Sequence, residues 1–192
     1  QSVDFDFFTN QPVSADVLSR SLAFLDGAEL IQSEPNTATF TVDRGGAIKV
    51  SFFGGLTIGR VGKPDRCDDN HVSIASLLDL AAQKLKVILV RAEPKDYSDI
   101  YTLLQAGVTL PGALGATKAL YPEFNAVLSL KALTYYGEPT LASLPAGVRE
   151  YLTEESAKVE SVKTIPKIAL SINTPVSIRK AHTRKRSKGI RI

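Results

Sequence analysis

Apolar residues tend to repeat every second position before Gly62 and every third or fourth after Asn70, and this switch constrains the fold class. The first part reads as short strands with turn residues between them: Val3–Phe8, Leu30–Ser33, Thr37–Val42, Ile48–Phe53 and Leu56–Gly59. Pro35-Asn36 and Asp43-Arg44-Gly45-Gly46 supply the turns. One helix is expected there, from a Ser14 cap to Asp26, with Val17, Leu18, Leu22 and Leu25 at helical spacing and Gly27 as its stop. The polar break over 62–70 then leads into helices. Ser76 caps a run over 77–91, with Asp79 three residues on, close to a capping box. Pro94 opens a helix through Leu104 that Gly107 ends. Further helices are expected over 110–120, 124–134 and 144–152, and a strand over 165–172. The expectation is an α+β chain. A small mixed or antiparallel sheet lobe over 1–70 precedes a helical lobe over 71–160 and a weakly patterned basic tail over 161–192.

Composition narrows the setting. The 192 residues are 44% hydrophobic, enough for one large or two small cores. No apolar run approaches the roughly 18–20 residues of a membrane span, and no signal peptide opens the chain. The single cysteine, Cys67, excludes an internal disulfide, so a cytoplasmic protein without membrane partners is expected. There is no methionine, and the natural protein is expected to begin upstream. The segment Arg179–Arg191 holds seven Lys/Arg and no acid; against a net charge of +3 this leaves the rest at −4. Such a tail can hold nucleic acid or acidic lipid by charge, or can simply be a solvated, disordered end or a non-native extension; His182 lies within it, and is expected to be exposed.

Two constellations carry chemistry. In Val3-Asp4-Phe5-Asp6-Phe7-Phe8 the strand period places Asp4 and Asp6 on one face and Phe5 and Phe7, as core anchors, on the other. Paired carboxylates are costly to hold together unless a cation sits between them, and Mg²⁺ suits such oxygen ligands. A solvated strand face is the alternative. In the second constellation Lys84 and Arg91 are two turns apart, and Asp96 and Asp99 share a face of the following helix. Two cations meeting two anions at a helix–Pro–helix corner form either a structural ion-pair cluster or a cationic patch for a triphosphate, held in shape by the acids. Asp65, Cys67, Asp68, Asp69 and His71 have irregular spacing and read as a solvated connector. Gly45-Gly46 and Gly54-Gly55 open no helix and read as hairpin and bulge glycines, not phosphate loops. Tyr135 and Tyr136 are expected to pack between helices, with an exposed rim as the alternative.

Ile74 through Lys95-Asp96-Tyr97-Ser98-Asp99-Ile100 resembles the second signature of the AbiEii/AbiGii nucleotidyltransferase toxin family, and Ser2–Phe8 resembles the aspartate half of its first. Ile48–Phe53 and Leu130–Tyr136 are similar to weaker family patterns, so the likeness covers about residues 1–155. The resemblance implies a polymerase-beta-like nucleotidyltransferase lobe, Mg²⁺ or Mn²⁺, and transfer of a nucleotidyl group from a nucleoside triphosphate to an acceptor such as tRNA. It implies toxin–antitoxin or phage-defence (abortive infection) biology and an antitoxin partner. Carried over, Asp4 and Asp6 would bind metal and act in catalysis with Lys84, Asp96 and Asp99, while Lys84, Arg91 and Lys95 would bind substrate. The family's Gly-Ser or Gly-Thr turn would precede Ser2, and Ser51 stands where a third carboxylate is expected. This chain is therefore expected to be feeble or inactive as an enzyme even where its parent is active. The competing readings are a non-catalytic, protein-binding relative and a nucleic-acid binder acting through the basic tail.

Overall fold

The computed structural model describes residues 4–68 and 72–174. Val3, Asp69, His71, His182 and the basic stretch Arg179–Arg191 lie outside the described residues, and so do the expectations placed on them. The fold is mixed, with a small sheet followed by helices. Strands β1 (Asp4–Phe8), β2 (Glu29–Glu34), β3 (Thr37–Asp43) and β4 (Ala47–Phe53) form one sheet in the order β1-β4-β3-β2. β3 is antiparallel to both β2 and β4, whereas β1 runs parallel to β4. The turns follow from residue chemistry. Asn36 turns β2 into β3 at φ 60°, a left-handed conformation that Asn tolerates. Asp43 Oδ1 accepts from both Gly45 and Gly46 N–H at 3.0 Å, and Gly45 sits at φ 77°.

The two sheet faces differ in kind. Ala38, Phe40 and Val42 of β3 and Val50 and Phe52 of β4 form a core with Ala15 and Leu25. Phe7 joins it by stacking on Phe52 at 5.2 Å. The helix over this face is shorter than expected. α1 (Ala15–Ser21) ends at Leu22, and a 3-10 turn over Ala23–Leu25 delivers Leu25 to the core. Directly paired residues share a face, so the other face carries Asp4 beside Lys49 and Thr41, then Asp6 beside Ser51 and Thr39. Phe8 stacks on Phe53 at 5.2 Å on that side.

Past the sheet, residues 56–59 form no strand. The break at 62–70 instead contributes to a small hairpin of β5 (Asp65–Arg66) and β6 (Ser73–Ile74). The helices are α2 (Leu77–Val87), α3 (Pro94–Gln105), α4 (Leu110–Leu120), α5 (Ala126–Thr134) and α6 (Ala146–Ala157). α2 stops four residues before Arg91, so Arg91 lies in the connection to α3. Leu85, Ile88, Tyr97, Ile100, Leu104, Leu110, Leu114 and Leu133 are among the residues of the helical core. Val61, Ala82, Ala116 and Leu120 make a third cluster, where the chain leaving the sheet meets α2 and α4. Residues 165–172 form no strand beyond one bridge between Arg60 and Ala169. No described helix is long and apolar enough to cross a membrane.

Candidate active site

The α2–α3 corner brings together every charged residue expected there. Lys84 Nζ lies 2.9 Å from Asp96 Oδ1 and 2.5 Å from Asp99 Oδ2. Arg91 Nε lies 3.0 Å from Asp96 Oδ2. Glu93, which the sequence patterns did not single out, joins Arg91 at 3.6 Å to Lys95 at 3.9 Å. Glu93 stands immediately before the Pro94 that opens α3, a helix-start position where an acid is favoured, and this was the available signal.

Asp96 is the hub. Its side chain is fully buried, and each oxygen accepts from a different cation. Burial alone would push its carboxyl up; the Lys84 and Arg91 hydrogen bonds outweigh that and hold it below the ordinary carboxylate value. Burial likewise pulls the Lys84 ammonium down, but the hydrogen bonds to Asp99 and Asp96 prevail and raise it. The Asp96 hydrogen bond raises Arg91 further. Lys84 is thus a fixed ammonium. Two of its three N–H groups are accounted for by the two aspartates. Asp99 is half-exposed and carries only the one ion pair to Lys84 among the described residues.

A second buried carboxylate sets the position of α2. Asp79 Oδ1 accepts from Val61 N–H at 2.9 Å, and Oδ2 accepts from Gly62 N–H at 3.0 Å and Ser76 Oγ–H at 2.7 Å. Ser76 Oγ in turn accepts from Asp79 N–H at 3.1 Å. The expected cap is therefore also a clamp that ties the chain leaving the sheet to the helix bearing Lys84. Gly62 backbone approaches Ser76 so closely that a Cβ would overlap its hydroxyl.

Asp4 and Asp6 occupy the edge strand β1 and are exposed; none of the ion pairs of the α2–α3 corner reaches them. The neighbouring strand places a serine, not an acid, beside Asp6. Ser51 lies opposite Asp6, is buried, and is 3.4 Å from the Thr39 hydroxyl. Lys49 lies opposite Asp4. Among the described residues no three His, Cys, Asp or Glu side chains converge on a metal site, and this includes the connector with Asp65, Cys67 and Asp68. Two carboxylates on one strand face still fit Mg²⁺ in kind, because that ion commonly takes one or two protein carboxylates and keeps water and phosphate oxygens for the rest.

Two aromatic expectations need correction. Phe5 is 51% exposed and lines an open apolar groove with Phe7, Phe24 and Ile48, so it does not anchor the strand in the core. Tyr135 is 62% exposed, because it follows the last turn of α5. Tyr136 does pack inward, its hydroxyl donating to Arg149 O at 3.1 Å.

A small mixed sheet followed by helices is consistent with a nucleotidyltransferase-like fold. The sequence model of the nucleotidyl transferase AbiEii toxin family, of type IV toxin–antitoxin systems, matches residues 1–155, and the chain belongs to that family. The uncharacterized protein aq_aa25 of Aquifex aeolicus (strain VF5) is 28% identical to it over 138 residues. The match takes in 70% of this chain and 65% of that protein, so the chain spans just under two thirds of its relative's length. No solved structure matches the chain.

Proposed function

We propose that the protein is a metal-dependent nucleotidyltransferase of toxin type, which moves a nucleotidyl group from a nucleoside triphosphate to an acceptor such as tRNA. An antitoxin partner and a cytoplasmic setting go with that reading. The observation that carries it is the Asp96 hub, which fixes the Lys84 ammonium and the Arg91 guanidinium in a chain of this family. Phosphoryl transfer asks a protein mainly for positioning and charge neutralisation. Lys84 would meet the polyphosphate with its remaining N–H, and Arg91 and Lys95, each half-exposed or more, would add charge beside it. Asp96 would hold the two cations in place; with both oxygens engaged and no exposure, it is a positioning residue and not a base. Asp99 would be the acid available at the rim. Asp4 and Asp6 would hold Mg²⁺ or Mn²⁺, which when bound supplies charge neutralisation at the phosphate oxygens.

A second reading, a non-catalytic relative that binds a protein partner, is favoured by Ser51 standing in place of a third carboxylate. Metal-dependent incorporation of labelled nucleotide separates the two. The transferase reading expects incorporation, by this chain or by a longer form of the protein, that falls at least about 100-fold in Asp6→Asn while the melting temperature holds. Calorimetry with Mg²⁺ and each nucleoside triphosphate should show binding. No incorporation and no nucleotide binding in either form would leave the binding module standing.

A further inference from the structure

After α6 the chain returns as a strap over 165–174, ending in a turn, that touches three parts of the fold in succession. Ile165 N–H donates to Gly115 O of α4 at 3.3 Å. Ile168 N–H donates to Arg60 O at 2.8 Å, Arg60 N–H donates back to Ala169 O at 2.9 Å, and Ile172 N–H donates to Ile58 O at 3.1 Å. At its far end Asn173 Oδ1 accepts from Asn10 N–H at 2.7 Å, and Ser171 Oγ accepts from Asn10 Nδ2 at 2.9 Å, just past the end of β1. The strap thus joins helical core, junction and sheet edge, and it lies beyond the residues that the family sequence model matches.

Its grip is polar. Ile168 and Leu170 are 56% and 83% exposed, and Ala169 and Ile165 supply its inward apolar contacts. Elements with little buried apolar area open at a fraction of the global unfolding cost. Beneath the strap lies Arg60, only 9% exposed. Its Nη2 donates to Thr174 O, and its buried Nε has no hydrogen-bond partner. Among the described residues no carboxylate pairs with it. A buried guanidinium without a counter-charge is costly. A peptide carbonyl offers it only a dipole.

Nε and Nη2 form one side edge of the guanidinium, the edge that takes a carboxylate or phosphate through two parallel hydrogen bonds. The strap end occupies half of that edge and leaves the other half orphaned. We propose that the strap is a displaceable latch over Arg60, and that an oxyanion taking the Nε–Nη2 edge displaces Thr174 O and releases the strap from the lobe junction. The anion satisfies the orphaned donor and supplies the missing charge, and both gains are realised only with the latch open. This device does not depend on the transferase reading.

Hydrogen exchange on the full 192-residue chain tests it, with inorganic phosphate as the probe against chloride at equal ionic strength. The amides of Arg60, Ile168 and Ile172 should exchange about tenfold faster at a phosphate concentration ten times its dissociation constant, with β3 and β4 amides unchanged. Arg60→Met should abolish the phosphate effect. Arg60→Lys, which keeps the charge but lacks the two-donor edge, should blunt it, and serves if the methionine variant does not fold. Unaltered exchange of the strap amides in phosphate, or equal acceleration in either variant, would overturn the proposal.

Discussion

The α2–α3 corner and the edge strand β1 both concentrate charge, yet they treat it in opposite ways. At the corner, positive and negative groups are interleaved and Asp96 is closed off from water. On β1, two exposed carboxylates share a face, opposite a lysine and a buried serine. The first arrangement is self-satisfying and rigid, and buried acids of this kind are costly to break. The second leaves its carboxylates open to solvent. In the transferase reading the β1 carboxylates serve a cation, whereas the buried network at the corner holds its charged side chains in place. In that reading the same change of charge acts on activity at β1, while at the corner it acts on stability.

That contrast can be broken by removing one carboxylate at each place. Asp96→Asn keeps the shape but withdraws the negative charge that two cations share. It should cost about 3 kcal/mol, within the range for breaking a buried ion pair, read as a shift of the denaturant midpoint. Asp6→Asn should change stability by less than about 0.5 kcal/mol, as is usual for an exposed position. Equal effects at the two sites would erase the distinction.

Asp79 sharpens the comparison, because it is a buried acid with no cation. Its three hydrogen bonds come from two backbone N–H groups and a hydroxyl. Asp79→Ala should cost about 2 kcal/mol by leaving the Val61 and Gly62 donors unsatisfied. It should also loosen the attachment of α2 to the chain that leaves the sheet. In the transferase reading the variant loses rate more than nucleotide affinity, since Lys84 stays charged but is held less firmly. A melting temperature equal to that of the unmodified chain would remove Asp79 from the clamp.

Much of this was legible in the sequence, for identifiable reasons. The hairpin β3–β4 was readable because Asp43, Gly45 and Gly46 specify their own turn. The corner was readable because Pro94 fixes the start of α3 and i,i+3 spacing then puts Asp96 and Asp99 on one face. Parallel pairing of β1 with β4 was not, since register across forty intervening residues is set by tertiary contacts such as Phe7 on Phe52 and Phe8 on Phe53. The exposure of Phe5 escaped for the same reason: alternation says which face a side chain takes, not whether anything covers it. The strap escaped because its partners, Asn10, Ile58 and Arg60, are more than a hundred residues away and its bonds are largely to backbone. Asp79 was seen as a cap, but its grip on Val61 and Gly62 needed the fold.

pH gives the smallest and most discriminating change. Asp96 is held below the ordinary carboxylate value of 3.8, so its contribution is complete above that value and is lost as pH falls through the folded one. Burial pushes the Tyr97 phenol up from 10.0 to about 12, so its contribution is complete below 10 and is lost as pH rises towards 12. Neither operates in the neutral range, where both groups hold their folded-state charge. Melting temperature against pH should therefore fall at both ends, and the two limbs should respond to different substitutions. Asp96→Asn should flatten the acid limb and leave the alkaline one. Tyr97→Phe should do the reverse, since the phenol makes one hydrogen bond of 3.3 Å, to Ala132 O, and its ring remains in the helical core. An acid limb unchanged in Asp96→Asn would mean that the buried corner does not set acid stability, and the account of Asp96 as its hub would no longer hold.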